Sequence, residues 1–294
     1  MVQNPQLFAK LSERLGARLV PKREISNNGK CSIWSAELDD RAVVVKTRIT
    51  GDQFYRETFR NELAVYEAFQ RHPPPVRVPA VISICEEEGA IVLEYLAGNL
   101  VSADRYPEES AWTEHTVAEI VRVLEELRSY QGYALGSSIT VLHGYYECWG
   151  SYIERGLYTE QDQAILDALK SRSDWCAEFN HGDPIPSNML IDGGNLRLID
   201  WEFGGAYLPL YDMSVLWVLS IRVPHVQTEI QRRCLAMTRS YQLCFAANLL
   251  RVVGRETWIH GRLPDNHPSK SSRQAMLALL FPRAREVMKE VLAA

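Results

Sequence analysis

Short apolar runs bounded by turn residues fill the first hundred positions of the chain, and apolar stripes at helical spacing fill the rest. Residues 6–15 read as a short helix. Residues 32–38 and 42–48 are rich in β-branched and aromatic side chains and meet at Asp39-Asp40, so they predict two strands joined by a tight turn. Over residues 54–70 the apolar positions Phe59, Leu63 and Tyr66 recur at i, i+4 and i+7, one stripe of an amphipathic helix, with Glu62 beside it. The run HPPPVRVP stops that helix, because proline donates no hydrogen bond and holds its predecessor out of the helical region. Residues 81–85 and 90–95 form a second predicted hairpin around Glu86-Glu87-Glu88-Gly89.

After Gly98 helical spacing takes over. Stripes over 112–130, 145–155, 160–170, 213–222, 228–250 and 272–292 predict a helical second part, with a loop at 261–271. One stretch interrupts it, HGDPIPSNMLIDGGNLRLIDWE from His181 to Glu202. Two apolar runs flank Asp192-Gly193-Gly194-Asn195, whose glycines and asparagine accept the positive φ of a hairpin turn. With the turn centred on Gly193 and Gly194, Asn188 and Asp200 are expected to face each other at the open end. Opposed positions lie roughly 5 Å apart, close enough for one oxygen from each to hold the same hard cation. His181 is expected to serve as a buried hydrogen-bonding residue.

Composition narrows the class of protein without naming a chemistry. A hydrophobic fraction of 46% and a charged fraction of 23% over 294 residues describe an ordinary globular chain with ample core. No apolar run is long enough to span a bilayer and no targeting segment is visible, so a cytoplasmic protein is the expectation. Cys31, Cys85, Cys148, Cys176, Cys234 and Cys244 have no metal-ligand spacing and are expected to be free thiols. Charge changes the picture more. The net charge of −5 conceals a segregation, with 19 acids against 7 bases over residues 100–220 and 5 acids against 12 bases over 221–294. An acidic middle block disfavours a nucleic-acid partner and suits a cationic ligand.

Five polar residues then fall in an order that one kind of chemistry requires. A phosphoryl-transfer site of the protein-kinase kind uses a strand lysine on the phosphates, a glutamate from the next helix, a catalytic aspartate with an asparagine five residues on, and a later metal-binding aspartate. Here Lys46, Glu62, Asp183, Asn188 and Asp200 occupy those places on the matching element types. HGDPIPSN followed by LRLIDWEFGG resembles the signature of the aminoglycoside phosphotransferase and choline kinase superfamily.

That resemblance implies an α+β, two-lobed, protein-kinase-like fold. Its β-rich nucleotide lobe would span residues 1–94, its hinge 95–99, and its mainly helical catalytic and acceptor lobe 100–294. It implies phosphorylation of a small molecule's hydroxyl from ATP with Mg2+. Asp183 would be the catalytic base, Asn188 and Asp200 the metal ligands, Lys46 and Glu62 the phosphate-holding pair, and Glu94 to Leu96 the adenine-binding hinge. Asp212 resembles an aspartate that braces the site, and a helix N-cap is an equal expectation for it. The phosphate loop, Ser26 to Ser32, has a single glycine, so Ser26 or Asn28 would have to help hold phosphates. After Asp200 the chain reads WEFGG with no A-P-E to follow, so no peptide-binding segment is evident.

The acidic block makes a cationic acceptor the expectation, an aminoglycoside or other antibiotic-like molecule, with choline or ethanolamine as the alternative. Tyr145, Trp149, Tyr152 and Trp201 could wall such a cation. Two readings of other classes remain: a pseudokinase that binds nucleotide without turnover, and a metal-dependent hydrolase built on His181, Asp183 and Asp200.

Overall fold

The computed structural model describes residues 5–131, 150–172 and 177–294. Its N-terminal part is one antiparallel sheet of five strands, β1 (Leu19–Asn27), β2 (Cys31–Leu38), β3 (Arg41–Arg48), β4 (Val81–Cys85) and β5 (Ala90–Glu94), in the order β1-β2-β3-β5-β4. The β2–β3 turn rests on Asp39 and Asp40, at φ 44° and 67°, where short polar side chains tolerate the left-handed region. Strand β1 was not anticipated from the sequence. It is an edge strand of mixed polarity, LVPKREISN, and its partner β2 rather than an apolar pattern fixes it.

Strand β3 is the centre of this sheet, and its period-two alternation does two jobs. Val43 and Val45 are fully buried against helix α1 (Pro5–Leu15) and Trp34. Lys46 points the other way, toward helix α2 (Gln53–Arg71). Asp52 caps α2 by accepting from Phe54 N at 2.9 Å. The buried stripe of α2 runs through Phe59, Glu62, Tyr66 and Phe69, so Glu62 lies inside the stripe at 1% exposure rather than beside it.

The remainder is mainly helical. After the short strand β6 (Asn99–Leu100) come α3 (Glu114–Leu127) and α4 (Glu160–Ser171). Strands β7 (Glu178–Asn180), β8 (Met189–Asp192), β9 (Asn195–Leu198) and β10 (Gly205–Tyr207) follow. Then come α5 (Tyr211–Leu219), α6 (Pro224–Leu235), α7 (Arg239–Gly261), α8 (Lys270–Ala278) and α9 (Leu280–Ala293). The predicted helix over 228–250 is two helices. The Gln242 amide donates to Leu235 O and Met237 O, at 2.8 and 3.0 Å, which satisfies the carbonyls exposed by the break. The predicted helix over 272–292 also divides, at Leu279. Pro282 stands in the first turn of α9, where its missing N–H costs nothing.

The first five residues of the predicted helix over 145–155, including Tyr145 and Trp149, lie outside the described residues. Four cysteines, Cys31, Cys85, Cys234 and Cys244, are free and buried. No helix among the described residues is long and apolar enough to cross a membrane.

Candidate functional site

Lys46 is the meeting point of the two parts of the chain. Its Nζ lies 2.6 Å from Glu62 Oε2 and 2.6 Å from Asp200 Oδ1, a residue 154 positions away. Lys46 thus bridges the two carboxylates, with a hydrogen bond to Asp200 and an ion pair of the same length to Glu62. Burial pushes Glu62 up to about 7, against the pull of Lys46. Burial also disfavours the Asp200 carboxylate, but there the Lys46 charge wins and its pKa is lowered. Lys46 itself stays charged, because three carboxylates, Asp200, Glu62 and Glu202, outweigh its desolvation. Asn61 ties α2 to the segment after Asp200, donating to Glu202 O and Gly204 O at 3.0 Å each.

The hairpin β8–β9 forms with a register one step from that expected. Asp192 pairs with Asn195 across a two-residue turn, with Gly193 and Gly194 at φ 56° and 84°. Ile199 N donates to Asn188 O at 3.0 Å, so Asn188 faces Ile199 and Asp200 lies one residue beyond. Asp200 has φ 66°, which takes it out of strand alternation. Its Oδ1 meets Lys46, and no described residue bonds its second oxygen. Asn188 donates from Nδ2 to Asp183 O at 3.0 Å, and its side-chain oxygen has no partner among the described residues.

The loop from β7 to β8 carries His181, Gly182 and Asp183, and Asp212 holds it. The Asp212 carboxylate accepts from His181 N at 2.6 Å and from Gly182 N at 2.9 Å. It does not cap its own helix, whose N-cap is Leu210. Burial pushes Asp212 up to about 7, against those two N–H bonds. Gly182 has φ 83°, and a Cβ there would stand 2.1 Å from Phe203 O. His181 is fully buried, bonds Ile199 O through Nε2 at 3.0 Å, and is held neutral by desolvation. That removes it as a solvent-reaching base and leaves the hydrolase alternative without its histidine.

The sequence profile of the "Phosphotransferase enzyme family" matches residues 33–243. The chain belongs to this family. No curated protein sequence matches significantly. Solved structures share the fold. Aminoglycoside phosphotransferase APH(4)-Ia, as a thermostable mutant with AMP-PNP and hygromycin B, is 16% identical with a TM-score of 0.63, over 97% of this chain and 98% of that one. A choline/ethanolamine kinase family protein from Mesorhizobium loti is 15% identical with a TM-score of 0.62, over 93% of both chains. ADP-bound aminoglycoside phosphotransferase APH(2'')-Ib is 13% identical with a TM-score of 0.56, over 97% of both.

On the other side of this candidate site, Asp183 meets two arginines that sequence reasoning missed. Its Oδ1 lies 3.1 Å from Arg105 Nη2 and 3.1 Å from Arg255 Nη2. Both arginines are held by Glu256, which is fully buried and kept ionised by their charges despite its desolvation. Tyr106 donates to the same carboxylate at 2.7 Å. These residues are separated by up to 151 positions and lack a local motif. The one hint was the basic C-terminal block.

The expected charge logic of the acceptor side changes accordingly. Acids of the middle block are taken up by ion pairs: Asp162 with Arg285, Asp104 and Glu108 with Arg222, Glu178 with Arg128, Asp192 with Arg197. Asp162, Asp104 and Glu108 thus pair with the basic C-terminal block, whereas Glu178 and Asp192 pair with arginines of the middle block itself. Trp201 is fully buried between Phe69, Phe179 and His181, and Tyr152 packs on Tyr158, so these two rings are core rather than a cation wall.

On the nucleotide side, Asn28 is committed to its own turn, accepting from Lys30 N and Cys31 N at 3.0 Å each. Ser26 pairs in β1 opposite Ile33 and is exposed. Glu94 donates its backbone N–H to Ala80 O, and its carboxylate holds Arg77 and Ala80 N. The backbone of Leu96 bonds no described residue.

Proposed function

We propose that this chain transfers the γ-phosphoryl group of ATP, with Mg2+, to a hydroxyl of a small molecule. The observation that carries this is the junction at Lys46, which unites the strand lysine, the helix glutamate and the hairpin aspartate. Lys46 would hold the nucleotide phosphates, positioned by Glu62. The free oxygens of Asn188 and Asp200 fit Mg2+, a hard ion that keeps several waters and needs few protein ligands. When bound, that ion neutralises phosphate charge.

Asp183 would align the acceptor hydroxyl and take its proton late in the transfer. Asp212 would keep Asp183 in place by fixing the two preceding backbone N–H groups. Leu96, with its free backbone, fits the adenine contact better than Glu94. Asn28 would shape the phosphate loop rather than grip phosphate, and Ser26 remains open toward it. A division into residues 1–94, a hinge at 95–99 and residues 100–294 fits this arrangement, as does a cytoplasmic location, where ATP is supplied.

The neighbouring structure with hygromycin B makes a small hydroxylated acceptor the natural candidate class, as the choline/ethanolamine kinase family neighbour also does. Here the groups that meet Asp183 are arginines, which gives a cationic acceptor no counter-charge at that point. The test is ADP release with ATP and Mg2+ over a panel of hydroxylated acceptors of both charge signs. Asp183→Asn should lower turnover by about 10²- to 10⁴-fold while leaving nucleotide affinity intact. Unchanged turnover in that variant would refute the assignment, and nucleotide binding without turnover on any acceptor would favour a pseudokinase.

A further inference from the structure

We propose that Arg105 selects the acceptor by binding an anionic group, a carboxylate or a phosphate, carried close to the hydroxyl that is phosphorylated. The inference rests on the phosphotransferase reading and names the substrate class of that same site. It starts from a census of N–H donors. Arg255 spends all five: Nε and Nη2 on Glu256, Nη2 also on Asp183, and Nη1 on Gly182 O and Tyr211 Oη at 3.0 and 2.9 Å. Arg105 spends three, with Nε and Nη2 on Glu256 at 2.8 Å each and Nη2 on Asp183 at 3.1 Å. Its Nη1 has no partner among the described residues, and the side chain retains 19% exposure.

The free donors are held in a fixed position. Glu256 grips Arg105 through two parallel bonds, the geometry that orients a guanidinium most strictly. Tyr106, next in the chain and 1% exposed, anchors the same segment through Glu256 and His260. Nη1 and Nη2 of a guanidinium are about 2.3 Å apart, and with the Nε edge taken by Glu256 the remaining Nη2 hydrogen points along the Nη1 side, so Nη1 stands about 4 Å from the Asp183 oxygen. An acceptor hydroxyl on Asp183 thus places its neighbouring substituents at Nη1. Arg105 then lies between two anions, the Asp183 carboxylate and the acceptor's own, and screens one from the other.

A cation at the same place would face a guanidinium pair whose buried counter-ion, Glu256, is turned inward and has no exposed surface. Arg273, its guanidinium 5.9 Å from the Tyr106 ring, is paired with Asp104 at 4.0 Å and leaves this charge to the two arginines on Asp183. The reaction itself is unchanged. The acceptor oxygen forms the new O–P bond while the bond from γ-phosphorus to the bridging oxygen breaks. The electron pair leaves with ADP, and the hydroxyl proton passes to Asp183 and then to solvent.

The experiment uses the full chain and matched acceptors: short hydroxy acids, their amides, the corresponding amino alcohols, and phosphorylated alcohols. Turnover with ATP and Mg2+ is measured together with calorimetric binding in the presence of AMP-PNP. We expect the anionic members to exceed their neutral and cationic twins by about 10- to 100-fold in kcat/KM or affinity, the scale of one charge-assisted bond pair. The carboxylate and phosphate arms decide which anion is read. Arg105→Gln should abolish that preference, and Arg105→Lys should restore only part of it. Circular dichroism and AMP-PNP affinity confirm that each variant is folded. Equal or better use of neutral or cationic twins overturns the inference while leaving the phosphotransferase reading intact. An undiminished anion preference in Arg105→Gln, or no binding of any anionic member, also overturns it. Absence of nucleotide binding would instead refute the reading beneath it.

Discussion

Substituting Gly182 by alanine tests whether the Asp183 loop is as tightly built as its geometry states. The residue sits at φ 83°, where an L side chain costs about 1–2 kcal/mol. The added Cβ would lie 2.1 Å from Phe203 O, 2.5 Å from the Tyr207 hydroxyl and 2.8 Å from Phe203 C. Two of these neighbours are backbone atoms and cannot rotate aside, so the loop or the segment after Asp200 must move by about 1 Å to reach ordinary contact. Overpacking of that kind costs roughly 1–3 kcal/mol more. The total, about 2–5 kcal/mol, corresponds to a fall in Tm on the order of 5–15 °C. Turnover should suffer beyond stability. Asp183 follows Gly182 directly, and a misplacement of about 1 Å at a reacting group lowers the rate on the order of 10²-fold. Differential scanning calorimetry and steady-state ADP release, both on protein shown to be folded, measure the two effects. A variant with an unchanged Tm and turnover within a few-fold of wild type would refute the account of this loop.

Two further outcomes follow from buried charges. Glu62 is raised from 4.5 to about 7, so its neutral form is the one the fold favours. Its contribution to stability is complete below about 4.5 and is lost as pH rises toward 7. Thermal melts of Glu62→Gln against wild type should therefore show the variant gaining relative stability across that window; a difference independent of pH would count against the desolvated site. Glu256→Gln leaves two largely buried guanidinium groups with Asp183 as their remaining carboxylate. It should cost about 3–5 kcal/mol, the scale of breaking a buried ion pair, in chemical denaturation. A loss below 1 kcal/mol would show that Arg105 and Arg255 are not anchored by it.

Sequence alone carried the order of the candidate site residues and the elements that bear them. Strand β3 with Lys46, helix α2 with Glu62, and the hairpin with its Asp192-Gly193-Gly194-Asn195 turn were all legible, because β-branched runs, an apolar stripe and a positive-φ turn are local signals. Helix breaks were less legible. The break before α7 is stabilised by Gln242, whose amide reaches back to carbonyls that periodicity does not register. Only the tertiary structure decided the rest. The hairpin register, one step from that expected, set Asn188 opposite Ile199, and Asp200, one residue beyond in a left-handed φ, lies against Lys46. Packing of α2 against β3 desolvated Glu62, which a sequence marks only as a charged residue on a helix. Asp212 serves as a brace across 31 positions instead of a cap within its own turn. The arginines at Asp183 come from a loop after β6 and from α7, far apart in the chain, and their meeting depends on a buried glutamate that no spacing rule identifies. Local backbone preference could name the elements that carry the candidate site residues, whereas the charge around Asp183 was set by long-range packing and ion pairing.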